Sequence, residues 1–169
     1  SLSFSNFPGV VEFANTNDAN LNFRFFNGLG VSGGENTLFV FERVNLHTRD
    51  TQTVRLGSVA GGNSLAGIND QAGVATWEIG GKNTSDAFHG YIRGTNTIIV
   101  KVGTGTLTLD GVFSNTNVVT LPDPFEPTNI VTYILSTNVI HYYGATVISN
   151  GTLKVVAPNN LTTSPSITL

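Results

Sequence analysis

Two carboxylates in a proline-rich stretch are the first residues of this chain that could do chemistry. Asp123 and Glu126 lie close together in the stretch LPDPFEPTN. They could bind a cation or act as a general acid and base, since both tasks need carboxylates side by side. Other acids are scattered along the chain, for example Asp18, Asp50, Asp70, Asp86 and Asp110. The alternative interpretation is that all of them are solvated surface groups, and the sequence predicts no catalytic residue.

The spacing of histidine and glycine does not match a metal or nucleotide site. No H-x-x-H or H-E pair occurs among the histidines, which are His47, His89 and His141. The run Asn15 to Asp18 is similar to part of a calcium loop, but it lacks the glycine and terminal glutamate of an EF-hand. No helical pattern follows Gly103 and Gly105, so these glycines do not predict a phosphate-binding loop. The sequence therefore predicts no metal and no cofactor.

Two kinds of residue in this sequence could carry or bind carbohydrate. The N-x-S/T pattern of N-glycosylation occurs three times, at Asn83, Asn150 and Asn160. In a chain this rich in Asn and Thr, the alternative is that they are ordinary turn residues. Trp77, the single tryptophan, alternates with Ala75 and Ile79. It is predicted to be a core aromatic, and the alternative is an exposed platform on which a sugar stacks.

Two similar stretches predict the strands and corners that would position these residues. In Ile98 to Gly111, one set of residues (Val100, Val102, Leu107, Leu109) alternates with another (Lys101, Thr106, Thr108). This period of two predicts strands with one buried and one wet face. Tyr142 to Val156 repeats the pattern. The predicted structural corners between strands are Gly103, Gly105, Gly144 and Gly151, since glycine permits bends that other residues resist.

These stretches carry a family resemblance. IIVKVGTGTLTLDG followed by YYGATVISNGTLKV resembles the autotransporter-associated β-strand repeat. The upstream segments VRLGSVAGG, WEIGGKN and FHGYIRG are similar to the rungs that precede that repeat, so the resemblance covers about residues 45–157. It implies an extracellular right-handed β-helix of the passenger type, with a scaffold or adhesin role. One departure is the stretch Val112 to Ile140, where the family has only a short loop.

Composition limits the class of protein. Only 11% of the 169 residues are charged, while 40% are hydrophobic, so disorder driven by charge is not expected. The net charge of −3 gives no electrostatic reason for binding nucleic acid. No apolar run approaches the roughly 18 residues that a membrane helix needs. With no cysteine, stability must come from packing, and the absence of methionine predicts a piece of a longer precursor.

The chain is predicted to form a single β domain of several parts. Residues 1–45 form a Phe-rich β block, interpreted as a cap over a β-helix or as a small sandwich of its own. Short strands are predicted in this block at Leu2 to Phe4, Val10 to Phe13, Leu21 to Phe26 and Leu38 to Phe41. Residues 46–111 and 141–169 are predicted to form solenoid coils, with glycine-rich corners at 57–62 and 80–81. Strands are predicted within these coils at Thr53 to Leu56, Val74 to Ile79 and Ala87 to Ile92. Residues 112–140 are predicted to be an inserted arm, in which Val118 to Leu121 and Ile130 to Leu135 form a strand pair.

The expected fold is all-β, most simply a right-handed parallel β-helix (β-solenoid), with an antiparallel β-sandwich as the alternative. The expected function is that of a non-enzymatic extracellular or cell-surface structural protein, either a filament subunit or an adhesive stalk. The alternatives are a carbohydrate-binding module for surface attachment and an accessory β-helix of a polysaccharide-degrading enzyme. The partner would then be a cell-surface glycan or a second copy.

Strand patterns at both termini favour assembly with another copy. Unpaired strand edges invite another strand unless they are covered. The sequence predicts a head-to-tail homopolymer joined by its terminal strands, and the alternative is that both ends fold back on the same chain. The residues predicted to make this contact are Ser1, Leu2, Phe4, Phe7, Ile167 and Leu169.

Overall fold

The computed structural model of the chain is built from strands and turns. The structure describes residues 7–15, 21–25, 34–49, 51–62, 67–111, 114–122, 130–139, 144–156 and 167–168. No helix occurs in these residues, so the predicted all-β class is confirmed. Their strands are β1 Val10–Ala14, β2 Leu21–Phe25, β3 Leu38–Glu42, β4 Val44–Arg49, β5 Gln52–Leu56, β6 Ser58–Gly61, β7 Gly67–Ala72, β8 Ala75–Ile79, β9 Asp86–Phe88, β10 Tyr91–Ile92, β11 Thr97–Lys101, β12 Thr106–Leu109, β13 Ser114–Pro122, β14 Ile130–Val139, β15 Thr146–Ile148, β16 Thr152–Val155 and β17 Ile167–Thr168.

All but two of these strands belong to three parallel sheets. Sheet A has the order β1-β3-β6-β9-β12-β16, sheet B has the order β10-β7-β4-β2, and sheet C has the order β17-β15-β11-β8-β5. Every strand pair within the three sheets is parallel. This pairing does not agree with the antiparallel β-sandwich alternative.

The chain visits the three sheets in a recurring order. From β3 to β5, from β6 to β8 and from β9 to β11, it passes through sheet A, then sheet B, then sheet C. Each return places a strand beside its counterpart from the previous passage. For example, Trp77 pairs with Val54 on one side and with Ile99 on the other. Parallel neighbours need such long connections, because a tight turn can join only antiparallel strands.

Several strand predictions are confirmed and others are corrected. The Gly-Thr-Gly segment at 103–105 does separate two strands, β11 and β12. The stretch 57–62, interpreted as a glycine-rich corner, instead contains β6, which pairs with β3. The single strand predicted from Ala87 to Ile92 is in fact two strands, β9 in sheet A and β10 in sheet B. In both cases the chain turns between sheets within a few residues, which period-two patterns do not reveal.

The core lies between the three sheets and consists of aliphatic and aromatic side chains. Burial alternates along β5, β8 and β11, so that one face of sheet C is directed inward. A single cluster contains side chains from all three sheets, including Phe39, Phe41, Val59, Phe88, Leu107 and Leu109 from sheet A, Leu46, Ile68 and Ile92 from sheet B, and Val54, Leu56, Trp77, Ile79 and Ile99 from sheet C. All of these are at most 2% exposed. Removing this apolar area from water is the main stabilising contribution that the sequence can make.

The described Phe-rich strands extend the parallel sheets. Strand β1 pairs in parallel with β3, and β2 pairs in parallel with β4, so the interpretation as a separate small sandwich is wrong. Phe13 lies over the core, with its ring centroid 4.3 Å from that of Phe23 and 6.3 Å from that of Phe41. Phe41 in turn makes an edge contact with Phe88 at 5.8 Å. The aromatic density of this block therefore continues the core along sheet A.

The predicted strand pair in the 112–140 insertion is present. Strands β13 and β14 form a two-stranded antiparallel sheet, separate in its strand pairing from sheets A, B and C. Val118 pairs with Ile134 and Leu121 with Val131, as expected from the two apolar flanks. The pairing shifts between Asn117 and Val118, which marks a β-bulge. The carboxylates Asp123 and Glu126 lie outside the described residues.

Candidate functional site

Three of the predicted structural corners meet where sheet C passes to sheet A. Gly103 and Gly151 have φ angles of +69° and +74°, a region that disfavours residues with a Cβ. A methyl group on Gly151 would overlap the carbonyl oxygen of Gly103 and lie 2.7 Å from that of Gly105. Gly105 is buried, and a methyl group there would overlap the carbonyl oxygen of Thr84. Gly144, the fourth predicted corner, is buried just before β15.

Asn83 takes part in this glycine corner, which we define as Gly80, Gly103, Gly105 and Gly151. Its side-chain oxygen accepts a hydrogen bond of 2.9 Å from the backbone N–H of Thr104, on the next passage of the chain. Its side-chain nitrogen donates to the carbonyl oxygen of Gly81 at 3.2 Å. The φ of +63° at Asn83 is one that asparagine tolerates better than most residues. These contacts agree with the turn-residue alternative to glycosylation at this position.

Of the other two predicted glycosylation sites, the structure describes only Asn150. Asn150 is exposed, and its side-chain oxygen accepts a hydrogen bond of 2.8 Å from the backbone N–H of Gly151. This contact again is typical of a turn asparagine. Asn160 lies outside the described residues. N-glycosylation of the three asparagines stays a prediction.

Lys101 is buried, although the sequence pattern predicted that its side chain faces solvent. Its alternation with Val100 predicted a solvent-exposed lysine, but Lys101 is 1% exposed while Val100 is half-buried. The ammonium group donates to the carbonyl oxygens of Val102 and Gly103, the latter at 3.0 Å. A methyl group on either Gly80 or Gly151 would lie 2.9 Å from Nζ, so the ammonium lies within the glycine corner. Burial lowers the pKa of Lys101 from its ordinary value of 10.5.

We expect Lys101→Met to lower the free energy of unfolding by about 2 kcal/mol, because two carbonyl oxygens lose a charged donor while the packed stem is kept. The pKa of Lys101 is lowered on folding, so the unfolded chain binds more protons in the pH range just below 10.5. The unfolding free energy of the wild type should therefore rise through this range relative to that of Lys101→Met. Urea unfolding of both proteins between pH 8.5 and pH 10.5 measures this, and parallel pH profiles would contradict it.

Polar pairs lie on sheet A and at its carboxyl edge. His89 Nδ1 and Asp110 Oδ1 are 2.5 Å apart, on consecutive passages of the chain, and both side chains are at least partly exposed. Asp86 accepts hydrogen bonds of 2.6 Å from both Ser58 and Thr84. Two of the scattered acids are thus hydrogen-bonded. Within the described residues, no group of three or more His, Asp or Glu side chains converges in a way that could hold a metal ion.

The tryptophan and one of the remaining histidines are buried in the structure. Trp77 is fully buried in the core, so the core interpretation is confirmed and the sugar-stacking platform is wrong. His47 is also buried, at 7% exposure. His141 and the run from Thr16 to Asp18 lie outside the described residues. The described part of the chain contains no pocket.

The predicted assembly residues are only partly described. Ser1, Leu2, Phe4 and Leu169 lie outside the described residues. Phe7 is 44% exposed, and its carbonyl oxygen accepts a hydrogen bond of 2.7 Å from the Thr37 hydroxyl. Ile167 belongs to β17, which pairs in parallel with β15 of its own chain. β17 is an edge strand of sheet C, and its predicted contact with a neighbouring copy stays a prediction.

The two ends of sheet A form the surface that the sequence analysis missed. Strand β1 pairs only with β3, and β16 only with β12, among the strands that the structure describes. We call these two strands the open edges. Exposed apolar side chains mark both: Val10 is 57% exposed at β1, and Val155 and Val156 are 39% and 57% exposed at and just after β16. An edge strand of this kind can pair with a further strand.

Comparisons of the chain with protein-family models, curated proteins and solved structures find no match. The similarity to the autotransporter-associated repeat therefore stays a prediction based on the quoted motifs. None of the described residues form a helix long and apolar enough to cross a bilayer.

The residues that sequence reasoning missed share one property. Lys101 on β11, together with Glu12 and Lys154 on the open edges β1 and β16, are single charges in apolar or threonine-rich strands. In a chain with only 8 Lys and Arg residues, a charge within a strand is a usable signal. It could have directed attention to these positions, although not to what each of them contacts.

Proposed function

We propose that the three parallel sheets are the faces of a right-handed parallel β-helix. The recurring order of sheets A, B and C supports this fold, because a chain that winds in one direction adds one strand to each face per turn. Right-handed crossovers between parallel strands are also the general rule. The shared core and the glycine corner, where successive passages touch through their backbones, support it further.

We propose that this β-helix serves as a non-enzymatic structural protein outside the cell or on its surface, as a filament subunit or an adhesive stalk. The observation that carries the proposal is the pairing of equivalent strands from one passage to the next, with a core that fills the space between the sheets. Such an arrangement makes a stiff rod, since each turn of the chain is held by backbone hydrogen bonds and by packing against its neighbours. The resemblance to autotransporter passengers agrees with this role.

Imaging of the native material tests the proposed role. Negative-stain electron microscopy of cell surfaces, with an antibody against this chain, should show rods or fibres that carry the label. Binding on a glycan array without fibres would favour the carbohydrate-binding alternative. Release of products from uronate polymers would favour the enzymatic alternative, and either result would contradict a purely structural role.

The β13–β14 hairpin should be dispensable for folding. We expect a variant with residues 116–137 replaced by Asn-Gly to keep its free energy of unfolding within about 1–2 kcal/mol, because loop length changes closure entropy only weakly. Asn115 and Asn138 form a cross-strand pair, so a two-residue turn can join them. Circular dichroism during thermal unfolding measures the effect. A variant that fails to fold would show that the hairpin belongs to the core.

A further inference from the structure

The register of sheet A aligns side chains in columns that run from one open edge to the other. Glu12 on β1 pairs with Val40, which pairs with Ala60. The pairing of Gly61 with Phe88 continues this register into β9, so that Ala87 follows Ala60. Ala87 pairs with Thr108, and Thr108 with Lys154 on β16. This column therefore begins with an exposed carboxylate and ends with an exposed ammonium group.

The flanking columns begin and end with apolar residues. One begins with Val11 and ends with Leu153, and both side chains are half-buried against the core cluster. The next begins with Phe13 and ends with Val155. Of these, Phe13 also packs against the core, while Val155 is 39% exposed. Each end of sheet A thus presents an apolar row beside a single charge, and the two charges are of opposite sign.

We propose that β16 of one molecule pairs in parallel with β1 of a second copy of this chain, in the register that sheet A already has. Lys154 then lies opposite Glu12 of the next copy, Leu153 opposite Val11, and Val155 opposite Phe13. This proposal deepens the proposed structural role by naming the contact through which subunits would join. Because the two strands belong to opposite ends of one molecule, the contact is heterologous and repeats as an open, head-to-tail polymer.

Other registers fit less well. A shift by one residue would place Leu153 opposite Val10 or Glu12 of the other copy, and both of these residues are exposed. A shift by two would place Lys154 opposite Val10 or Ala14, and the charges would lose their partner. Only the unshifted register keeps apolar residues opposite one another and pairs the two opposite charges. This contact uses β1 and β16, and the predicted contact through the terminal residues, including Ile167 on β17, stays a separate prediction.

Charge exchange tests the contact. Sedimentation velocity over a range of concentrations should show self-association of the wild type. Glu12→Lys and Lys154→Glu should each weaken association by about tenfold or more, because each variant brings like charges together across the contact. Mixed in equal amounts, the two variants should associate again in alternating order, and the double variant should associate alone. Glu78→Lys is the control, since it makes the same charge change on β8, inside sheet C.

Cysteine pairing tests the register, and the chain has no cysteine of its own. In the proposed register Val10 lies opposite Thr152 of the other copy, so a mixture of Val10→Cys and Thr152→Cys should form a mixed disulfide quickly under mild oxidation. A mixture of Val10→Cys and Val156→Cys should form little, although Val156 is as exposed as Val10. Equal yields from the two mixtures would contradict the register. Tagging one partner and identifying the product by mass spectrometry separates it from symmetric dimers.

These experiments distinguish failure of the proposed β16–β1 contact from failure of the proposed structural role. A wild type that keeps its β-rich circular dichroism spectrum but stays monomeric at millimolar concentration would overturn the contact. So would association that neither single charge change weakens. A stalk labelled on the cell surface could still be seen by microscopy in both cases, and that result alone decides the structural role. Circular dichroism of each variant shows that it is folded before its association is measured.

Discussion

Trp77→Ala should lower the free energy of unfolding by about 3–5 kcal/mol, the range for removing a large buried aromatic side chain. Trp77 is 0% exposed on β8, an interior strand of sheet C that pairs with β5 on one side and β11 on the other. The cavity left behind would border side chains from consecutive passages of the chain, which backbone hydrogen bonds hold in place. We therefore expect little collapse to compensate for the lost contacts. Urea unfolding monitored by circular dichroism measures the change.

Val74→Ala provides the matched control for this prediction. Val74 immediately precedes the same strand, but its side chain is 37% exposed. The change should cost less than about 1 kcal/mol, since few buried contacts are lost. Similar losses for Trp77→Ala and Val74→Ala would contradict a core centred on Trp77. A small effect of Trp77→Ala alone would mean that the tryptophan is not packed as described.

Gly105→Val should lower the free energy of unfolding by more than about 2 kcal/mol. The reason is space, because a Cβ at this position would overlap the carbonyl oxygen of Thr84 on the previous passage. Backbone atoms can give way only by moving the strands that carry them. The next passage is also affected, since the carbonyl oxygen of Gly105 accepts a hydrogen bond from the N–H of Thr152. Thermal and urea unfolding both measure the loss.

Thr106→Val is the control for Gly105→Val because it places the same side chain one position later. Thr106 is half-buried on the outer face of β12, and its backbone N–H donates to Ser85 Oγ at 3.1 Å, a bond that the substitution keeps. We expect a change of less than about 1 kcal/mol. Equal shifts in melting temperature for the two variants would contradict the close approach at Gly105. Should Gly105→Val fail to fold, Gly105→Ala offers a smaller version of the same overlap.

The alternation of residue types was enough to predict strands over much of the chain. It identified most of the sequences of β1, β2, β3, β5, β8, β11, β12 and β16, together with the break at Gly103 and Gly105. It also identified the strand pair of the insertion, because prolines and a polar segment separate two apolar flanks. Strands β4, β6 and β7 were missed. They are rich in Asn, Ser, Thr or Gly, residues that on their own indicate turns.

The sequence by itself determined an all-β chain with glycine bends and an aromatic, cysteine-free core, because these properties depend on residue type and local spacing. The tertiary structure decided which side of a strand is buried. A run such as Ile98-Ile99-Val100-Lys101 is apolar on both faces, so its period of two does not show which face is inward, and Lys101 is inward. It also decided that Glu12 and Lys154 stand at opposite ends of one column. That relation depends on the register of five successive strand pairings, and no local pattern records how many residues each passage of the chain uses between them.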